Sequence, residues 1–274
     1  MKKTHAILFL FSGFLGLTIL SFAQFTTEEI SEREKWETFL KTAGIVGEKQ
    51  IGGGSIKTAP WRLDLEKDGI SRGALWKNPE GKLSGHDESW KWEIAAYRLD
   101  KYLALNMVPP TVEREFQGKR GACQLWVTAA MDLRKKNSDK IETPSDMLYA
   151  WNNAIYMTWA FDTLIANKDR NAGTILITKN WRLMLIDHSR SFGTSVESAK
   201  EPIYDEEKQA AEGMKRLPRT FVEKLKAMNI GSVTEAIGDY LTDDEIKAVL
   251  KRRDLILKEI ARLIEKYGEN NVLY

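Results

Sequence analysis

Asn167-Lys168-Asp169-Arg170-Asn171, followed after two short apolar runs by Ile186-Asp187-His188, is the stretch that decides the fold. The runs are residues 174–178 and 181–186, and Lys179-Asn180 lies between them. Asn tolerates positive φ, so Lys179-Asn180 predicts a two-residue hairpin turn. The hairpin would return Asp187 to the end from which Asp169 departs. Two carboxylates so placed suit phosphoryl transfer, one receiving a hydroxyl proton and the other holding a divalent cation. The spacing alone fits equally well a hairpin with solvated acidic ends.

On the N-terminal side, residues 148–164 carry Leu148, Trp151, Ile155, Trp159 and Leu164, and predict a long helix from Pro144 to about Ala166. Further upstream the texture changes. Residues 61–65 alternate, Lys67-Asp68-Gly69 is a turn, and residues 70–77 form another short strand. Residues 78–87 read as a polar loop. Residues 88–105 return to helical period with Trp92, Ala95, Ala96, Leu99, Tyr102 and Leu103 on one face. Val108-Pro109-Pro110 stops that helix, and residues 124–127 predict a strand. A first helix is expected over residues 26–43, another over 217–228, and a last one from a capping box at Thr242 and Glu245 to Tyr267. Strands first and helices second, joined by a hinge-like strand, predict a two-lobed α+β architecture.

The chain has 274 residues and a formal charge of +2. Lys2-Lys3, an apolar run from Ala6 to Phe22 and Ser21-Phe22-Ala23 read as a secretory signal peptide cleaved before Gln24, with an uncleaved anchor as the alternative. Losing Lys2 and Lys3 leaves the mature chain near neutral, which argues against nucleic acid or an anionic membrane as partner. The location expected is periplasmic or secreted. Cys123, the single cysteine, excludes an intrachain disulfide framework and reads as a buried, inert thiol. Three histidines exclude a histidine-rich zinc site.

Phosphoryl transfer needs cations, carboxylates and backbone N–H groups in register. Gly52-Gly53-Gly54-Ser55 would let backbone amides approach phosphates, although a plain turn explains it as well and it is not a Walker A motif. Lys77 closes a strand and Glu93 lies on the following helix. Pairing would fix the ammonium over a nucleotide's phosphates. The alternative is two solvated charges, against which Glu93 sits among Trp92, Ile94, Ala95 and Ala96.

The sequences of residues 93–100 (Glu-Ile-Ala-Ala-Tyr-Arg-Leu-Asp), 108–112, 161–171 and 186–192 together resemble atypical kinases. The nearest likeness is to secretory-pathway casein-kinase-like proteins and bacterial phosphatidylinositol 3-/4-kinase-like proteins, over residues 51–262. The resemblance implies a protein-kinase-like fold, ATP and Mg²⁺ or Mn²⁺ as cofactors, and a hydroxyl acceptor on protein Ser/Thr, a sugar or an inositol lipid. It implies that Lys77 contacts the α/β phosphates, Glu93 orients Lys77, Asp169 is catalytic and Asp187 binds the metal. Gly53, Gly54 and Ser55 would cradle phosphate, and Gln124, Leu125 and Trp126 would form the adenine hinge. Asn167 and Arg170 would shape the catalytic loop. Thr174 stands where the lipid-kinase-like proteins carry a metal-binding Asn, and Asn171 is the residue that could compensate. His188 reads as structural. The departure at Thr174 keeps open a second reading, a nucleotide-binding pseudokinase acting as a scaffold in the cell envelope. The expected organisation is a signal peptide over 1–23, an N-terminal helix over 24–45, an N-lobe with hinge over 46–127 and a C-lobe over 128–274.

Overall fold

The structure, a computed structural model, describes residues 26–51, 59–194 and 214–274. The candidate leader with its cleavage point, and Gly53, Gly54 and Ser55, lie outside the described residues.

The N-terminal part opens with two helices where the sequence predicted one. α1 (Thr27–Ser31) is capped reciprocally by Thr26 and Glu29. The Ser31 hydroxyl then donates to the Glu28 carbonyl, a local bond that competes with helix continuation. α2 (Arg33–Thr42) restarts after Glu32. Next come β1 (Gly44–Gln50), β2 (Trp61–Lys67) and β3 (Ile70–Lys77), the last two joined at Asp68-Gly69, both with positive φ. Residues 78–87, expected to be a loop, contribute to a hairpin instead, β4 (Glu80–Leu83) and β5 (His86–Ser89). Ser84 and Gly85 turn it, both with positive φ as a two-residue hairpin turn demands. Its strands lack the apolar alternation by which strands are read.

α3 (Trp90–Leu103) starts at the Ser89 cap and ends at Ala104, which is left-handed. β6 (Thr111–Phe116) and β7 (Lys119–Leu125) complete an antiparallel sheet of order β1-β2-β3-β7-β6. Period-2 alternation divides it. Leu63, Leu65, Ala74, Trp76 and Cys123 bury on the face covered by Phe39 and Leu40 of α2 and by Ala43 just after it. Burying each Leu or Phe there contributes roughly 1.5–3 kcal/mol. Burial pushes the Cys123 thiol up to about 12, in keeping with an inert core residue.

Past Leu125 the chain crosses between lobes. Trp126 N–H donates to the Gly73 carbonyl at 3.0 Å, and Ala130 N–H to the Ile177 carbonyl at 2.8 Å, so each end of the connector is pinned. The second lobe contains β8 (Met131–Asp132), α4 (Leu133–Ser138), α5 (Leu148–Ile165), β9 (Ile175–Ile177) and β10 (Leu183–Leu185). It ends with α6 (Arg219–Ala227), α7 (Ile230–Ile237), α8 (Asp243–Tyr267) and α9 (Glu269–Val272). β9 and β10 are the hairpin predicted from sequence, but its turn is longer. Thr178 N–H bonds to the Arg182 carbonyl around a three-residue loop, and Trp181 rather than Asn180 takes the positive φ. Trp181 packs edge-on against Trp151 at 5.8 Å, a contact that holds a bulky residue in that conformation. One core joins α3 to the second lobe: Leu99, Leu103, Phe161, Leu164, Phe192, Val249 and Ile256 are buried together. No helix among the described residues is long and apolar enough to cross a membrane.

Candidate active site

Lys77 ends β3 with 8% of its surface exposed, facing the junction of the lobes. Its ammonium bonds Asp187 Oδ1 at 2.6 Å and pairs with Glu93 Oε1 of α3. Burial works against the charge on Lys77, but the Asp187 and Glu93 carboxylates outweigh it and hold the pKa above the ordinary lysine value. Glu93 is 1% exposed; burial would raise its pKa, yet Lys77 and His188 hold it well below the usual carboxylate range. The sequence-predicted trio of Lys77, Glu93 and Asp187 therefore meets in one buried charged cluster.

Asp187 is left-handed, with φ of 64°. A non-glycine residue there costs on the order of 1–3 kcal/mol, and such strain clusters at functional positions. Two hydrogen bonds in the adjoining backbone offset the cost. His188 N–H donates to Glu93 Oε1 at 2.9 Å, and Ser89 N–H donates to the Ser189 carbonyl at 2.9 Å. The Asp187 side chain stays 41% exposed, open to a ligand.

His188 is fully buried, and burial lowers its pKa, so it is neutral. Arg170 Nη2 lies 2.9 Å from His188 Nε2, and a guanidinium can only donate. The imidazole proton is thus assigned to Nδ1, 3.6 Å from Glu93 Oε2.

Arg170 organises the loop after α5. Its Nε and Nη2 bond the two oxygens of buried Asp162 at 2.8 and 3.1 Å, and Nη1 bonds the carbonyls of Thr174 and Ile186 at 2.9 and 2.7 Å. Asn167 Nδ2 donates to Asp162, while Asn167 Oδ1 accepts the Asp169 N–H at 3.0 Å. Asp169 is thereby presented at the loop apex, its side chain 41% exposed. Arg190 Nη1 lies 3.3 Å from Asp169 Oδ1. Glu88 does most to raise the Arg190 pKa, and Asp169 and Asp187 add to it.

The other predicted residues have partners of their own. The Thr174 hydroxyl accepts from Arg170 Nη1 at 3.1 Å and from Asn171 N–H at 3.3 Å, and donates to the Asn171 carbonyl at 3.0 Å. Asn171 Oδ1 faces Gly173 N–H and Arg134. Gln124 is 6% exposed and its amide donates to Thr111 Oγ1 at 2.9 Å, which keeps that side chain inside the first lobe. Leu125 is half-buried and donates its N–H to the Pro110 carbonyl. Trp126 is 39% exposed beneath Arg62, whose guanidinium carbon lies 4.4 Å from the ring centre. Sequence reading passes over Glu88 and Arg190. Glu88 lies in a stretch without apolar alternation, and only the position of Arg190 three residues past Asp187 could draw notice.

Among the described residues no group of three or more His, Cys, Asp or Glu is gathered to hold a metal. A Mg²⁺-type ion takes one or two carboxylates and completes its shell with water and phosphate oxygens. Asp187, half-open beside the buried ammonium, offers such a carboxylate.

No family model matches the chain. Protein Rv2133c of Mycobacterium tuberculosis (strain ATCC 25618 / H37Rv) is 26% identical over 220 residues, 68% of this chain and 72% of that protein. Among solved structures, hydra Fam20 with sugar superposes with a TM-score of 0.62 at 17% identity, covering 89% of this chain and 92% of that one. The Helicobacter pylori proinflammatory kinase CtkA gives a TM-score of 0.48 at 15% identity, over 84% of this chain and 98% of that one. With the five-stranded sheet, α3 and the hinge on one side and the helical lobe on the other, the chain has a two-lobed atypical-kinase fold.

Proposed function

We propose that this chain is an exported atypical kinase that transfers the γ-phosphoryl group of ATP to a hydroxyl acceptor. The observation that carries the reading is Lys77, buried between Glu93 and Asp187. A buried ammonium fixed by a helix-borne carboxylate is costly to maintain and is the arrangement that a polyphosphate needs. Lys77 would hold the α/β phosphates, Glu93 would keep Lys77 in place, and Asp187 would hold Mg²⁺ or Mn²⁺. The bound ion would supply charge stabilisation for the phosphates. Asp169 would orient the acceptor hydroxyl and take its proton, while the acceptor oxygen bonds phosphorus and ADP departs. Trp126 and Leu125 line the connector where an adenine would lie. Gly53, Gly54 and Ser55 keep the phosphate-cradling role as part of the proposal. Thr174, with its hydroxyl engaged three ways, serves as a loop staple, and the metal then rests on Asp187, water and phosphate.

Hydra Fam20 was solved with a sugar, which makes a sugar hydroxyl the first acceptor to try, ahead of protein Ser/Thr or an inositol lipid. The alternative, a nucleotide-binding pseudokinase, is favoured by one feature: the oxygens of Asn171 and Thr174 are spent on the loop itself. A thermal-shift titration and a phosphate-release assay on residues 24–274 with ATP and Mn²⁺ separate the readings. Binding with turnover supports the kinase, binding without turnover the pseudokinase, and neither defeats both.

A further inference from the structure

Glu88 is a carboxylate buried to 4% exposure at the end of β5, just before the cap of α3. Both its oxygens are engaged from the loop after Asp187. Oε1 accepts from Arg190 Nε at 2.9 Å and Nη2 at 2.7 Å, and Oε2 accepts from the Ser189 hydroxyl at 3.4 Å. Arg190 has one terminal nitrogen left, and it is this Nη1 that faces Asp169 Oδ1 at 3.3 Å. The backbone adds to the junction, for Lys168 N–H points to the Arg190 carbonyl at 3.4 Å.

We propose that Arg190 is a positioning residue for Asp169, anchored by Glu88. The inference rests on the phosphotransfer reading above and adds to it a second link, from the end of β5, between the first lobe and the catalytic loop. A carboxylate at a loop apex, 41% exposed, has several side-chain orientations open to it. A guanidinium whose other edge is fixed by a buried carboxylate selects one of them, because its donors are rigid and planar. Its charge also separates Asp169 from Asp187 and from incoming phosphates, which would otherwise repel it. Glu88 and Glu93 flank the start of α3. Glu93 lies on α3 and Glu88 on the strand that runs into it, so the anchors of Lys77 and Arg190 sit on adjoining elements joined at the Ser89 cap.

The test uses Arg190→Ala, Arg190→Lys and Glu88→Gln in the full mature chain, with a fluorescent ATP analogue for binding and ATP turnover for rate. Misplacing a reacting group by about 1 Å can lower a rate on the order of 10²-fold. Arg190→Ala should therefore lose kcat on that scale while nucleotide Kd stays at the wild-type value. Added guanidinium should restore part of the rate. Arg190→Lys and Glu88→Gln should lose less, since lysine keeps the charge although it cannot span both carboxylates, and glutamine keeps the shape without the charge. These two also carry the test if the alanine variant does not fold. Wild-type kcat in the variants, a kcat loss matched by an equal loss of nucleotide affinity, or no rescue by guanidinium would overturn the role and leave the kinase reading intact. A wild-type chain that neither binds ATP nor turns it over would overturn that reading, and the role of Arg190 with it.

Discussion

The main-chain N–H of His188 donates to Glu93 Oε1 at 2.9 Å. One carboxylate on α3 therefore holds both the ammonium of Lys77 and the backbone beside Asp187. The imidazole of His188 continues the chain of contacts to Arg170, and Arg170 to Asp162 at the end of α5. The first lobe, the residue proposed for the metal and the loop carrying Asp169 are thus connected through hydrogen bonds without a gap.

Glu93→Gln tests that connection. Glutamine can still accept the His188 N–H, but it leaves Lys77 with Asp187 as its remaining carboxylate. Removing one partner of a buried ion pair costs about 3–5 kcal/mol, and retention of Asp187 places this case near the lower figure. Urea denaturation should show a loss of about 3 kcal/mol, and ATP affinity should fall. Wild-type stability and affinity would show that the pairing has no energetic weight.

Asp187→Ala and Asp169→Asn should fail differently. The first removes the carboxylate proposed for the phosphate-bridging ion, so Mn²⁺-dependent ATP binding should disappear. The second keeps its shape and removes a base, so binding should persist while turnover falls ~10²-fold or more. Calorimetric titration of ATP with and without Mn²⁺, run beside a rate assay, checks both. Equal behaviour of the two variants would dissolve the division of labour between them.

The site is readable from sequence where chemistry and periodicity coincide. Lys77 ends an alternating strand, Glu93 lies on an apolar helix, and Asp169 and Asp187 bracket a hairpin, so each announces its element and its place at the junction of the lobes. Glu88 and Arg190 give no such signal. Their partnership joins positions far apart in sequence, inside a polar stretch whose hairpin is set by Ser84-Gly85 rather than by an apolar face. α7 is just as quiet although Asn229 and Ser232 form its capping box, because eight residues make a short period. The turn at 179–181 misleads for another reason. Asn180 has the better local propensity, but packing of Trp181 on Trp151 decides which residue takes positive φ.

Gly121→Ala should disturb the site from behind. A Cβ there would lie 2.7 Å from the Trp76 ring and 2.8 Å from the Lys77 carbonyl oxygen. Trp76 cannot easily yield, since its indole N–H donates to the Arg114 carbonyl at 3.0 Å and its ring packs edge-on against Phe116. Over-packing of this kind costs about 1–3 kcal/mol. The strand that must shift carries Lys77, so ATP affinity should drop along with the melting temperature. A variant as stable as wild type with unchanged affinity would show that β3 and β7 separate freely.

Asp100 makes the last prediction, one about pH. It is fully buried on α3, accepts the N–H groups of Met107 and Val108 at 2.8 and 3.2 Å, and meets Arg33 Nη2 of α2 at 3.3 Å. Burial outweighs these partners and raises its pKa from 3.8 to about 6. The folded state therefore binds this proton more tightly than the unfolded chain. The group lowers stability above pH 6, and that penalty is relieved as pH falls from 6 towards 3.8. Between pH 7 and 4.5 the gain from this carboxylate should be about 2 kcal/mol. His188 acts in the opposite sense over the same range, because its lowered pKa makes the unfolded chain the better proton acceptor. Glu93, held low, loses its contribution only at more acid pH. The measurement is thus a difference, wild type minus Asp100→Asn, obtained by urea denaturation across that range. The variant cannot take up the proton, and both proteins carry His188, so its contribution cancels. The gap in favour of wild type should widen by about 2 kcal/mol on acidification. A gap that stays flat would mean that Arg33 and the two N–H groups hold Asp100 ionised throughout.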